Sequence, residues 1–169
     1  DLMLKGQNGA VPEDQAKDPC SKATTTIGEN RELAELIKES MDGKVSSMEV
    51  NVDSIQFSIP ETVLFEPGTT ELSLTAGKYL QRIGKFLKRN EGYITIAGHS
   101  DDRTPNSYEF TMARAVAVMN YLVEAKFVAE ERITPQGTGP KRALAANEDK
   151  KSREKNRRIE FTLTRSRRF

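Results

Sequence analysis

Apolar residues recur along this chain in two rhythms, and the changes of rhythm divide it. Residues 1–27 are polar, carry Gly6, Gly9, Pro12 and Pro19, and have little apolar periodicity. That composition predicts a flexible linker. From Glu29 to Met41 the pattern becomes helical, with Leu33, Leu36 and Ile37 at i, i+3 and i+4. Gly43 is placed to stop this helix. Residues 28–47 therefore read as a connector helix, and its narrow apolar stripe requires it to pack on the domain or on a partner. A third region, 48–169, holds everything else.

Met48 to Ile59 alternates as a strand does, with Met48, Val50 and Val52 in one phase and Ile55, Phe57 and Ile59 in the other. The slip between them predicts a turn or bulge near Asp53-Ser54. Pro60 ends the strand, and Val63-Leu64-Phe65 is a short apolar run closed by Pro67-Gly68. A helix over Ser73–Asn90 sets Ala76, Leu80, Ile83 and Leu87 on one stripe. Tyr93–Ala97 reads as a short strand. The next helix, Ser107–Lys126, places Phe110, Ala113, Ala117 and Tyr121 on a shared face. Ile133–Gln136 is a strand, residues 137–149 a long polar loop, and Arg158–Thr164 a last alternating strand. The order βαβαββ predicts an α/β fold, a two-layer sandwich of a small mixed β-sheet and helices.

Composition changes this picture little. The chain has 169 residues, long enough for one domain with flanking material and a core that needs no staples. It carries 26 basic and 25 acidic side chains, so no global field points to nucleic acid. The basic end, Lys151 to Phe169, reads as a solvated tail before it reads as an RNA or DNA site. Cys20 is the single cysteine, so no intrachain disulfide exists, and no apolar leader precedes it to suggest lipidation. No run of 18 apolar residues spans a membrane. The first residue is Asp, which suggests a processed product or fragment whose anchor lies elsewhere.

The chemistry concentrates at Gly98-His99-Ser100-Asp101 and at Phe110-Thr111-Met112-Ala113-Arg114-Ala115. Asp101 follows a strand end and Arg114 lies in the second turn of the next helix, a common ligand position in α/β folds. Backbone N–H groups at that helix start add partial positive charge. Together, the guanidinium can grip a carboxylate and the aspartate an ammonium, as a zwitterion requires. The plain alternative is a structural Asp–Arg salt bridge. His99 is the only histidine and reads as a packed turn residue, because no nucleophile or metal-ligand partners accompany it. Asp101 and Asp102 are adjacent and point apart, which argues against paired acid–base work. Of Arg157 and Arg158, which alternate at a strand start, one is expected to face the pocket or an internal carboxylate and the other solvent. No cofactor is implied.

These elements, with Asn156-Arg157-Arg158, resemble the OmpA/MotB family of peptidoglycan-binding domains. That family has a G-H/Y-T-D turn, then L-S-x-x-R-A, then N-R-R before a final strand. Here Ser100 stands for Thr, Phe110 for Leu and Thr111 for Ser, and the third motif matches outright. Phe65-Glu66-Pro67-Gly68 through Leu72 resembles the family's F-x-x-G-x-x-x-L entry to its helix. The likeness covers Met48 to Thr164. One departure is Ser107, where the family usually has Asn, and Asn106 is the nearest substitute.

The resemblance implies an OmpA-C-like fold, no enzymatic activity, and non-covalent binding of the diaminopimelate of peptidoglycan stem peptides. The binding residues it implies are Ser100, Asp101, Ser107, Thr111, Arg114 and Arg157. Ser100-Asp101-Asp102 and Ser107-Tyr108-Glu109-Phe110-Thr111 are most similar to flagellar motor stator B subunits of the MotB type. That implies a periplasmic homodimer tethered to the inner membrane, partnered by a stator A-type membrane subunit and motor components, with no nucleic acid. A Pal/OmpA-type tether linked to the outer membrane is the alternative, and a cell-wall peptide enzyme a more distant one.

Overall fold

A computed structural model describes residues 19–165. Residues 1–18 of the linker expected over 1–27, and the extreme basic end, lie outside the described residues. The elements run α1 (Pro19–Ser40), β1 (Ser47–Val50), β2 (Ser54–Pro60), α2 (Glu61–Leu64), α3 (Ala76–Arg89), β3 (Tyr93–His99), α4 (Ser107–Glu124), β4 (Ile133–Gly139), α5 (Lys150–Asn156) and β5 (Arg158–Thr164). Helix α1 thus begins at Pro19, within the stretch read as linker.

The strands form one five-stranded sheet in the order β1-β2-β5-β3-β4. Strands β3 and β4 are parallel, and the other neighbours are antiparallel. The slip of phase near Asp53 is the turn of the β1–β2 hairpin, where Asn51 N–H donates to the Ser54 carbonyl over 2.8 Å. Across the sheet, Phe57 stands opposite Phe161 and Phe161 opposite Ile96. The Phe57 and Phe161 rings stack at 5.1 Å, and Phe86 of α3 meets Phe57 edge-on at 6.5 Å. Ala76, Leu80, Ile83 and Leu87 of α3 are all fully buried, as their spacing predicts. Each large apolar side chain so buried contributes about 1.5–3 kcal/mol. Helices on one face of a mixed sheet make the expected two-layer α/β sandwich.

Three local readings are corrected. In α4 the buried positions are Thr111, Arg114, Ala115, Val118 and Leu122, one step round from the face of Phe110, Ala113, Ala117 and Tyr121. The helix turns a small polar residue and an arginine inward because both find partners there. In α1, Leu36 is exposed, and the docked stripe is Asn30, Ala34 and Ile37, continued by Met41 just past the helix end. Asn30 is buried because its Nδ2 donates to the carbonyls of Asn51 and Val52 over 2.9 and 3.1 Å. Finally, α5 intervenes before β5, so the order is not βαβαββ. Its residues are almost all polar and leave no periodic signal; Asp149 caps it, accepting from Ser152 N–H over 2.8 Å.

Two glycines let α4 approach the sheet. A Cβ on Gly137 would lie 2.6 Å from the Met112 nitrogen, and one on Gly98 would strike the Thr111 carbonyl. This close approach sets α4, and with it Arg114, against the ends of β3 and β4.

Candidate functional site

Strand β3 runs out at His99 and delivers Asp101 to a turn that its own side chain organises. One carboxylate oxygen accepts from Arg103 N–H at 3.0 Å and from the Thr104 hydroxyl at 2.9 Å. The other accepts from Arg157 Nη1 at 2.7 Å. Burial works to raise the Asp101 pKa, but the bonds from Arg157, Thr104 and the Arg103 backbone outweigh it and hold the carboxyl below its ordinary range. Arg157 stands between α5 and β5, and its pKa is raised: burial opposes this, but the Asp101 bond and the charge of Glu61 prevail.

Arg114 is almost wholly buried. Its guanidinium lies between two aromatic rings, 4.7 Å from the Phe65 centroid and 4.3 Å from that of Phe110. Its Nε donates to the Thr69 carbonyl at 2.8 Å, and its Nη1 pairs with Glu61 Oε2. Glu61, at the start of α2, also places Oε1 3.0 Å from Arg157 Nε, although that N–H is not aligned for a hydrogen bond. The charges therefore alternate as Arg114, Glu61, Arg157, Asp101. They line an open pocket of about 540 Å³ with Gly68, Arg103, Thr104, Pro105 and Phe110. Asp101 and Arg114 do not pair with each other; each is held by a different partner.

Asp101, Arg114 and Arg157 thus meet in one pocket. Ser100, Ser107 and Thr111 gather instead around the end of β4. Ser100 N–H donates to the Gly139 carbonyl at 3.0 Å. The Thr111 hydroxyl donates to the Ser107 carbonyl at 2.7 Å and accepts from Gly139 N–H at 3.1 Å. These residues fix the strand against α4 beside the pocket. Asn106 is the N-cap of α4 with φ 47°, and its carbonyl accepts from Phe110 N–H.

The motif Asn156-Arg157-Arg158 divides into three tasks. Asn156 is fully buried and clamps the preceding loop. Its Oδ1 accepts from Leu144 and Ala145 N–H at 2.7 and 3.0 Å, and its Nδ2 donates to Ala145 O and Asn147 Oδ1 at 2.9 and 2.7 Å. Arg157 faces the pocket. Arg158 does not face solvent as expected: it is buried, donating to the Arg142 carbonyl at 3.0 Å and to Glu160 Oε2 at 3.3 Å. Glu160 also lies 3.4 Å from His99 Nε2, while His99 Nδ1 sits 2.8 Å from the Thr138 hydroxyl. Burial alone would raise the Glu160 pKa, but His99 and Arg158 draw it below the ordinary value. His99 is a packed residue on the sheet, as its lack of partners in sequence suggests.

Sequence reasoning missed Glu61, Thr69 and Thr104. Glu61 carries no motif of its own, and Thr69 acts through a backbone carbonyl that any residue supplies. Among the described residues, no three His, Cys, Asp or Glu side chains gather to hold a metal ion, and no helix is long and apolar enough to cross a membrane.

This combination of a mixed five-stranded sheet, an aspartate at the end of β3 and an arginine on the following helix belongs to a defined class. Residues 64–157 match the OmpA family, and the chain belongs to it. A putative MotB-like protein from Desulfovibrio vulgaris superposes with TM-score 0.77 at 27% identity, covering 85% of this chain and 99% of that one. The cell wall anchor of the T6SS from Pseudomonas aeruginosa superposes with TM-score 0.72 at 26% identity, covering 79% and 97%. The peptidoglycan-associated lipoprotein of Pseudomonas putida is 31% identical over 102 residues, 59% of this chain and 61% of that protein. The chain spans about six tenths of the length of the curated relatives it matches.

Proposed function

We propose that this chain binds peptidoglycan without covalent chemistry, gripping the diaminopimelate end of a stem peptide in the pocket of Asp101, Arg114 and Arg157. The observation that carries this is the alternating chain Arg114–Glu61–Arg157–Asp101 around one open pocket. A free amino-acid end has one ammonium and one carboxylate close together. Asp101 accepts from the ammonium, and Arg114 and Arg157 donate to the carboxylate. The protein charges are already held by one another, so the ligand meets a preorganised set and little ordering cost arises on binding. Ser107, Thr111 and Ser100 support the site from the end of β4.

The wider role we infer is anchorage of a flagellar motor stator to the cell wall. The protein would act in the periplasm as a homodimer tethered to the inner membrane, beside an A-type membrane subunit. Likeness to a MotB-like protein supports this reading. A second reading, a wall tether of another envelope assembly, draws support from likeness to a secretion-system wall anchor and a peptidoglycan-associated lipoprotein.

Co-sedimentation with insoluble peptidoglycan tests the binding. Wild type is expected in the pellet, and Asp101→Ala and Arg114→Ala in the supernatant. A folded Arg114→Ala variant that sediments like wild type would sink the site assignment. Co-purification of the full-length protein from membranes separates the two roles: recovery of a stator membrane subunit supports the first, and recovery of another envelope complex supports the second.

A further inference from the structure

Helix α1 leaves one apolar side chain without a place in the core. Leu36 is 59% exposed and stands at the lip of a groove of about 420 Å³ between α1 and α3. Leu33, Ile37 and Phe86 line the apolar part of this groove, and Arg82, Lys85 and Arg89 its cationic part. Arg82 donates to the Ser40 carbonyl over 2.7 Å and pairs with Asp42. Because Arg82 lies beside Ser40 while the groove reaches on to Leu33 and Arg89, the two helices run antiparallel along it. No carboxylate among the described residues pairs with Lys85 or Arg89.

On the other side of Leu36 the charge reverses. Glu32, Glu35 and Glu39 gather there with a single cation, Arg31. None of these three carboxylates has an ion-pair partner among the described residues. The rows Glu32–Glu39 and Arg82–Arg89 each cover about two helical turns, roughly 11 Å. They lie level with each other, since Glu39 adjoins the Ser40 end of the groove where Arg82 sits. An exposed leucine beside an apolar groove, with matched rows of opposite charge on its two sides, is a face complementary to itself.

We infer that this face seats a second copy of the chain, with the Leu36 of each copy over the groove of the other. Charge selects the arrangement. A two-fold axis across the helices sets glutamate row on glutamate row, which repels. An axis along the groove sets each glutamate row over the cationic row of the partner, which attracts. In that arrangement the two α1 helices run parallel. Their N-terminal ends then leave on the same side, as two tethers to one membrane require. The interface deepens the homodimer of the preceding reading and rests on it, but not on the diaminopimelate pocket, whose residues take no part.

Sedimentation velocity on the 169-residue chain tests this. Wild type is expected to dimerise with a Kd of about 10–100 µM, as small interfaces without large aromatic anchors do. Two charge-reversed proteins, one with Glu32→Lys and Glu39→Lys and one with Lys85→Glu and Arg89→Glu, should each dimerise about ten-fold more weakly or worse. Their equimolar mixture should return to the wild-type affinity, because each reversed row then meets a row of opposite charge. All four positions are exposed, so both proteins are expected to fold, and circular dichroism checks it. Reversed proteins that dimerise as well as wild type, or that weaken without rescue in the mixture, overturn the interface and keep the homodimer. A mixture that dimerises far more tightly than wild type points to the axis across the helices and overturns the parallel arrangement. Wild type that stays monomeric at about 500 µM overturns the second copy as occupant, and the homodimer with it, and leaves the groove to an acidic helix of another protein.

Discussion

Arg157 Nη1 lies 2.7 Å from Asp101 Oδ2, and this one bond ties the approach to β5 to the turn that leaves β3. The two residues flank neighbouring strands of the sheet, so the bond extends in side chains what the β3–β5 ladder does in the backbone. It also gives the site a pH signature.

The Asp101 carboxyl releases its proton more readily in the native protein than in the unfolded chain, because Arg157, Thr104 and Arg103 overcome the effect of burial. Its contribution to stability is therefore fully present above the unfolded value, near pH 4, and is lost as pH falls through the lower native value. Urea unfolding midpoints should fall more steeply between about pH 4.5 and pH 2 in wild type than in Asp101→Asn. Parallel slopes would remove Asp101 as the source.

Glu61 and Arg114 should be strongly coupled. Arg114→Met leaves the half-buried Glu61 without its closest cation and should cost about 3 kcal/mol, whereas the additional loss on changing Glu61→Gln in that background should be small. A double-mutant cycle on urea stability should give a coupling of about 1–3 kcal/mol. Additive losses would mean that the pair is not an energetic unit.

The Asn156 clamp predicts a local effect. Asn156→Ala strands the Leu144 and Ala145 N–H groups and should cost about 2 kcal/mol. Hydrogen exchange should accelerate at those two amides before it does in β3. Uniform acceleration across the domain would point to global destabilisation instead.

Gly137→Ala should be costly for a steric reason, since the added methyl lies 2.5 Å from the Tyr108 carbonyl and 2.6 Å from the Met112 nitrogen. Pushing α4 off β4 should lower stability by about 2 kcal/mol and weaken ligand binding by displacing Arg114. Full binding with reduced stability would separate the packing from the site.

What the sequence made legible followed from repetition. Alternation marked β2 and β5, and a wide stripe marked α3 with its buried face. In α4 the period was right but the face was not, because the aromatic residues Phe110 and Tyr121 sit at the margin while Thr111 and Arg114 point inward. In α1, Leu36 misled for the same reason: an apolar side chain at helical spacing need not be the docked one. Helix α5 carries no apolar stripe, so nothing in its periodicity announced it. Of the site, Asp101, Arg114 and Arg157 were visible through motif resemblance. Glu61 was not, since its pairing with Arg114 joins positions 53 residues apart and leaves no local pattern.

Strand β5 lies third in the sheet order although it is the last strand in the chain. The β1–β2 hairpin and the β3–β4 pair share no ladder; each is bonded to β5 instead. The two halves therefore share no sheet hydrogen bonds until β5 inserts between them, and that insertion joins residues far apart in sequence. Such non-local closure makes for slow and highly cooperative folding. Because Arg157 enters immediately ahead of β5, assembly of the charged pocket and closure of the sheet become one event. A chain that stops short of Arg157 therefore has neither a continuous sheet nor a complete set of pocket charges.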